Sequence, residues 1–327
     1  MCTSLAFSSP ALFGRNLDLE YSFSEQVAVT PRNHAFSFRH RPPLAHHFAL
    51  IGMAAVAGDV PLYAEAANEK GLYMAGLYFP GNAHYFPDTD PLRDNLAPYE
   101  LIPAVLGACE TLAEARRMLE RVRLIADPFA PGYPLAPLHW HIADATGSLV
   151  AEPMADGLRL YDDPAGVLTN NPPFPFHLTR LSDYQTLSPR PPENRFAPAL
   201  GLQPYGQGMG AMGLPGDASP VSRFVRAAFL KAHAAFDGDE ATQVVQFFHI
   251  LGAVSMVRGS VVTPEGRLDE TTYSCCFDAR SGVYYYRTYD ASRISAVSLL
   301  DEPLDGEALR VFPLERSPQI HYVNRRG

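Results

Sequence analysis

Residues 71–79, Gly-Leu-Tyr-Met-Ala-Gly-Leu-Tyr-Phe, are apolar almost throughout. A strand with one wet face alternates apolar and polar residues, so a short continuous run of this kind reads as a strand covered on both faces. The chain must therefore build a sheet that lies inside layers. With 327 residues, 47% of them hydrophobic and 19% charged, it is long and apolar enough for a sizeable globular core, as one large domain or two small ones.

The remaining pattern fills in those layers. Thr3 to Phe7, a Ser-Ser-Pro turn and Leu12 to Asn16 read as an opening hairpin whose first strand begins at Cys2, with Gln26 to Thr30 as a further strand. Phe48 to Gly58 is a strand candidate. Thr111-Leu-Ala-Glu114 is a capping box, and Leu112, Ala115, Leu119 and Val122 follow at helical spacing, which predicts a surface amphipathic helix over 111–125. Short strands are expected at 138–143, 148–152, 158–161 and 167–169, as an antiparallel meander. Helical faces recur at 222–235 (Phe224, Ala228, Lys231) and 240–256 (Val244, Phe247, Phe248, Leu251), and strands at 271–277, 283–289 and 294–299. Residues 186–220 are rich in Pro and Gly without periodicity, which predicts a long loop; a subunit contact is the favoured use of such a loop in a compact fold. No repeat interrupts this order and no linker divides it, so residues 1–327 are read as one α+β domain with helices packed on stacked antiparallel sheets.

Charge and end composition narrow the partners. Lys and Arg number 26 against 35 Asp and Glu, a net charge of −9, which offers no general attraction to nucleic acid or anionic lipid. The apolar run from Phe48 stops at Asp59, short of the ~20 residues a membrane span needs. The first residues carry no basic segment ahead of their apolar ones, so a cytoplasmic protein is expected. None of the four cysteines forms a C-x-x-C pair, which leaves no pattern for a disulfide framework, zinc or another metal cofactor.

One cysteine stands at position 2. Its small side chain should permit removal of Met1, leaving a thiol and an α-amine on one residue, and amines near ~8 and thiols near ~8.5 exchange a proton readily around neutrality. Position alone also fits an incidental cysteine. Arg15 and Asp18 return beside Cys2 if the chain folds back after residue 8; a cation favours a thiolate and a carboxylate can orient an amine, although a surface ion pair is the plainer use of both.

The matches then become specific. Met-Cys-Thr at the start, Phe-Gly-Arg-Asn-Leu-Asp-Leu-Glu-Tyr-Ser-Phe (13–23), Asn-Glu-Lys-Gly-Leu (68–72), Ala-Gly-Leu-Tyr-Phe-Pro-Gly-Asn-Ala (75–83), Val-Leu-Thr-Asn-Asn-Pro (167–172), Gly-Leu-Pro-Gly-Asp (213–217), Ser-Arg-Phe-Val-Arg (222–226) and Tyr-Asp-Ala-Ser-Arg-Ile (289–294) occur in order. Together they resemble the choloylglycine hydrolase family, which contains bile salt hydrolases and penicillin V acylases. The resemblance implies an N-terminal nucleophile hydrolase with an αββα four-layer sandwich, usually a homotetramer, that cleaves the amide between an acyl group and a small amine. By motif it implies Cys2 as nucleophile, Arg15 and Asp18 beside it, Asn170 and the N–H of Tyr78 as oxyanion donors, Arg223 lining the site, and 190–217 as the tetramer-forming loop.

At position 78 bile salt hydrolases typically have Asn, whereas Tyr78 is what penicillin V acylases commonly carry. The stretches at 152–158 and 167–172, and the run leading into 222–226, look closest to bile salt hydrolases of Gram-positive gut bacteria. Conjugated bile salts are thus the expected substrates, releasing glycine or taurine; penicillin V, an acyl homoserine lactone, or an inactive binding relative are the alternatives. An apolar acyl group would be met by Tyr21, Phe23, Ala57, Leu62, Phe129 and Leu135, placed by chain position and family likeness. His139 and His141, two apart on a strand, with His46, His47 and His249, read as packed or hydrogen-bonded histidines; Tyr284, Tyr285 and Tyr286 as core packing; Asp88, Asp90, Asp162 and Asp163 as turn residues.

Overall fold

The computed structural model describes residues 1–324; residues 325–327, the end of the expected 1–327 unit, lie outside it. Two antiparallel sheets face each other. The first runs β12 (Val167–Leu168), β1 (Cys2–Ser8), β2 (Ala11–Leu19), β14 (Leu268–Asp278), β15 (Val283–Thr288), β16 (Ser295–Ser298), with β13 (Val261–Val262) also on β14. The second runs β11 (Gly157–Asp162), β10 (Gly147–Met154), β9 (Leu138–Asp144), β6 (Tyr73–Tyr78), β5 (Val60–Asn68), β4 (Leu50–Ala57), β3 (Gln26–Thr30), β17 (Arg310–Pro313).

Helices close both outer faces. α4 (Pro220–His233) and α5 (Glu240–Gly252) put Phe224, Ala227, Phe247, Phe248 and Leu251 into one apolar cluster with Phe7 and Leu12 of the first sheet. α1 (Leu101–Ala108) and α2 (Leu112–Leu119) cluster with Ala54, Tyr63, Ala66, Met74, Trp140 and Ile142 on the far side of the second. A further short helix, α3 (Phe174–Arg180), packs against α4. The order is helices, sheet, sheet, helices.

The run at 71–79 behaves as its composition requires. Within β6, Tyr73, Ala75 and Leu77 face the space between the sheets while Met74 lies under α1, and all are fully buried. Burial on two faces removes the polar alternation.

Other expectations need correction. The helix begins at its Thr111 cap but ends at Leu119; Val122–Leu124 forms β8, parallel to β7 (Asp94–Leu96). Residues 167–168 do not continue the meander of β9, β10 and β11: as β12 they cross to the first sheet beside β1. β5 and α1 have no counterpart among the expected elements. Residues 186–220 are a long irregular segment, broken by one helical turn at Met209–Ala211. No helix among the described residues is long and apolar enough to cross a membrane.

Candidate active site

Register decides which way the opening cysteine points. Cys2 pairs with Leu17 and Ser4 with Arg15, and directly paired residues share a face of the sheet. Arg15 marks that face as the inner one, because its Nη1 donates to the Gly76 carbonyl of β6 at 2.5 Å. Asn16 and Asp18 take the outer face: Asn16 Nδ2 donates to the Leu251 carbonyl of α5 at 2.8 Å, and Asp18 meets Arg223 of α4. Cys2 is buried, with its thiol side between the sheets and its backbone reached from the helix side.

Asn170 joins the two sides. Its Oδ1 accepts from the Cys2 N–H at 2.9 Å and from Arg223 Nη2 at 2.8 Å, and its Nδ2 donates to the Tyr78 carbonyl at 2.7 Å. Two donors at one end and an acceptor at the other leave one orientation for the amide, with a second Nδ2–H still available. The same guanidinium donates through Nη1 to the Cys2 carbonyl and to Thr3 Oγ1. Arg223 thus holds the backbone at Cys2 and the side chain of Thr3.

Tyr78 offers a second donor. The Phe79 N–H donates to the Pro137 carbonyl at 2.7 Å, so the Tyr78–Leu138 pair beside it is of the type whose amide groups point away from the partner strand. The Tyr78 N–H therefore faces the side on which Asn170 meets the Tyr78 carbonyl. This edge of β6 is open because β5 pairs with it only as far as Ala75. The Tyr78 side chain itself is 45% exposed.

Two buried polar atoms of this cluster have no hydrogen-bond partner: Arg15 Nη2 and Asp18 Oδ2. Asp18 Oδ1 accepts from the Thr271 hydroxyl at 2.6 Å, and Oδ2 lies 4.0 Å from Arg223 Nη1. Burial alone would lower the Arg15 guanidinium, but negative charge at Cys2, Tyr273 and Glu65 raises it above its ordinary value. Burial lowers Arg223, with Asp18 and Cys2 opposing. Met1 is in place, its ammonium donating to the Asp18 carbonyl and lying 3.7 Å from Asp269. Cutting the Met1–Cys2 bond would turn the Cys2 amide N–H into an amine beside Asn170.

The expected substrate-contacting residues lie on several elements. Tyr21 lines a polar cleft of about 490 Å³ with Leu19, Arg258, Arg267, Glu270 and Thr272. Leu19 pairs with Glu270 past the irregularity between Thr271 and Tyr273, at the end of β2. Phe23 packs against the main core. Ala57 and Leu62 are half-buried on β4 and β5, Leu135 is half-buried, and Phe129 meets Tyr99 and Tyr133 edge to face, with ring centroids 5.4 and 5.1 Å away.

The site and its scaffold can now be set against known proteins. A family model described as linear amide C–N hydrolases, choloylglycine hydrolase family, matches residues 2–312. The chain belongs to this family. A bile salt hydrolase/transferase of Lactiplantibacillus plantarum is 45% identical over 99% of this chain and 100% of its own length, and one of Clostridium perfringens is 36% identical over 99% and 100%. The crystal structure of the mutant C2A conjugated bile acid hydrolase from Clostridium perfringens superposes with a TM-score of 0.92, at 35% identity, over 99% of this chain and 100% of that one. A penicillin V acylase from Agrobacterium tumefaciens shares the fold, with a TM-score of 0.76 at 18% identity over 97% of this chain and 92% of its own. The αββα sandwich is thus the N-terminal nucleophile hydrolase fold of a choloylglycine hydrolase family member, an amide C–N hydrolase.

Histidines surround this family site, and His177 is one that the sequence did not single out. His177 Nε2 lies 3.0 Å from the Asn170 carbonyl, and His139 bridges the Thr169 carbonyl and Glu152 at 3.0 and 3.1 Å. His141 contacts Ser4 Oγ at 2.9 Å. His139 and His141 are packed and bonded as expected, His46 bonds Asn33, and His249 is exposed. Tyr284 is core as expected, and its hydroxyl reaches Glu65. The period-2 spacing of His139 and His141 was the available signal for their shared inward face.

Proposed function

We propose that this protein hydrolyses the amide of conjugated bile salts, releasing free bile acid and glycine or taurine, with Cys2 as nucleophile. Asn170 carries the reading: one carboxamide holds the Cys2 nitrogen through its oxygen and places its nitrogen beside the Tyr78 N–H. Whole-length similarity to proteins named bile salt hydrolases supports the substrate class.

After Met1 is removed, the α-amine takes the thiol proton and is held by Asn170 Oδ1 and the vacant Asp18 Oδ2. Arg15 favours the thiolate. Sulfur attacks the amide carbon, and the oxyanion is met by the Tyr78 N–H and the second Asn170 Nδ2–H. The C–N bond breaks as the α-ammonium protonates the leaving amine. The amine then takes a proton from water, hydroxide attacks the thioester, and the C–S bond breaks to restore the thiol. The polar cleft beside Leu19 suits the amine end of the substrate, while Phe23, Ala57, Leu62, Phe129 and Leu135 suit the steroid.

Tyr78 favours a second reading, penicillin V acylase. Turnover of glycocholate, taurocholate and penicillin V side by side separates the two. Cys2→Ala is expected to abolish hydrolysis of whichever substrate is turned over, and full turnover by that variant would reject the mechanism. No turnover of any of these by the Met1-free protein would favour an acyl homoserine lactone acylase or a binding role. We further take the chain as one cytoplasmic unit that assembles as a homotetramer, for which the exposed apolar residues of 186–220 are the support.

A further inference from the structure

Glu65 lies in the middle of β5, fully buried between the sheets, and the mechanism above does not use it. Its Oε2 accepts from the Tyr273 hydroxyl at 2.7 Å and lies 3.5 Å from Arg15 Nη1. Its Oε1 accepts from the Tyr284 hydroxyl at 2.7 Å and from the Cys275 thiol at 3.5 Å. Three donors on β14 and β15 of the first sheet thus fix a carboxylate carried by the second. A buried ion pair of this kind commonly stabilises a fold no better than apolar residues of the same volume, so packing alone gives little reason for it.

Arg15 supplies the reason. Its Nη1 is committed to the carbonyls of Gly76 and Ala64 and to Glu65, whereas Nη2 has no partner, and Cys2 lies on the same face of the sheet, two residues from Ser4, the register partner of Arg15. Without Glu65 the group would keep the 2.5 Å bond to Gly76 and two long ones of 3.4 Å, from Nη1 to Ala64 and from Nε to the Asn16 carbonyl, which hold its plane only weakly. We infer that Glu65, clamped by Tyr273, Tyr284 and Cys275, is the positioning residue that fixes the Arg15 plane and leaves Nη2 for the Cys2 thiolate. The inference rests on Cys2 as the nucleophile of the proposed reaction and is independent of which amide is cleaved.

Glu65→Gln keeps the shape and removes the charge. In Met1-free protein, the rate of Cys2 alkylation by iodoacetamide near pH 7, followed by mass of the N-terminal peptide, is expected to fall at least about tenfold, because a displacement of ~1 Å can cost ~100-fold in reactivity. With whichever substrate is turned over, kcat is expected to fall by a similar factor and KM to stay within about twofold. In an Arg15→Met background, Glu65→Gln is expected to change the alkylation rate by less than about twofold, since its effect passes through Arg15. Equal losses with and without Arg15 would make Glu65 a structural residue and overturn the inference, as would no loss at all. If circular dichroism shows Glu65→Gln unfolded, Tyr284→Phe, which releases one Oε1 bond and keeps the charge, is expected to slow alkylation several-fold only when Arg15 is present; an unchanged rate would overturn the inference. Alkylation uses no bile salt, so a failure of the substrate assignment leaves this result intact.

Discussion

Asn170 is bonded at both ends of its amide, to the Cys2 nitrogen and Arg223 on one side and to the Tyr78 carbonyl on the other. Asn170→Ala removes the proposed oxyanion donor and the acceptor for the Cys2 nitrogen together. Loss of one oxyanion donor typically costs ~2.7–4 kcal/mol of barrier, so kcat is expected to drop about 100- to 1,000-fold with a much smaller change in KM, read by steady-state kinetics. A variant that raised KM alone would place Asn170 in substrate binding instead. Cys2, Arg15, Asp18, Asn170 and Arg223 were legible in the sequence because each sits in a contiguous motif with its neighbours. Glu65 and His177 were not, because what gives them a role is a partner on another strand or on the loop ahead of α3, and no local pattern records that pairing.

Between β2 and β14 the approach is so close that a Cβ on Gly14 would lie 2.0 Å from the Cys275 carbonyl oxygen. That approach sets Arg15 opposite Cys275 and so aims it across the sandwich. Gly14→Ala is expected to destabilise the fold by about 3 kcal/mol or more, or to prevent soluble expression, since two backbones must separate. Gly58, at φ 68° with open space around it, is the control: its Ala variant should cost only ~1–2 kcal/mol, the strain of a left-handed residue. Urea midpoints compare the two, and equal shifts would reject the close-approach argument. The same scale explains what the sequence hid. Pro61 and Glu65 interrupt the apolar pattern of 60–68, yet Pro61 lies beyond the stretch of β5 that pairs with β6, on an otherwise open edge where a missing N–H costs no bond. α1 is buried on nearly every side, so it lacks the amphipathic period by which α2 was recognised. Val122 keeps helical spacing with Leu119, but its parallel partner in β7 lies too far upstream to be seen locally.

At the scale of the whole molecule, the segment 186–220 leaves Phe196 88%, Tyr205 85% and Met212 63% exposed, with Leu200 and Leu202 also out in solvent. Apolar exposure on this scale, gathered in one segment, marks an interaction surface. The net charge of −9 opposes self-association, so in the proposed tetramer contact between copies would come from these apolar side chains rather than from general electrostatics. Salt should therefore strengthen assembly by screening repulsion between like-charged copies. Sedimentation velocity on the intact chain is expected to show a tetramer, more complete at 0.5 M than at 0.05 M NaCl. Phe196→Ser combined with Tyr205→Ser should shift it to smaller species while leaving far-UV circular dichroism unchanged, because neither residue belongs to either core cluster. A wild-type chain that sediments as a monomer at every salt concentration would remove the subunit-contact reading, and a tetramer that survives the double substitution would move the contact elsewhere on the surface.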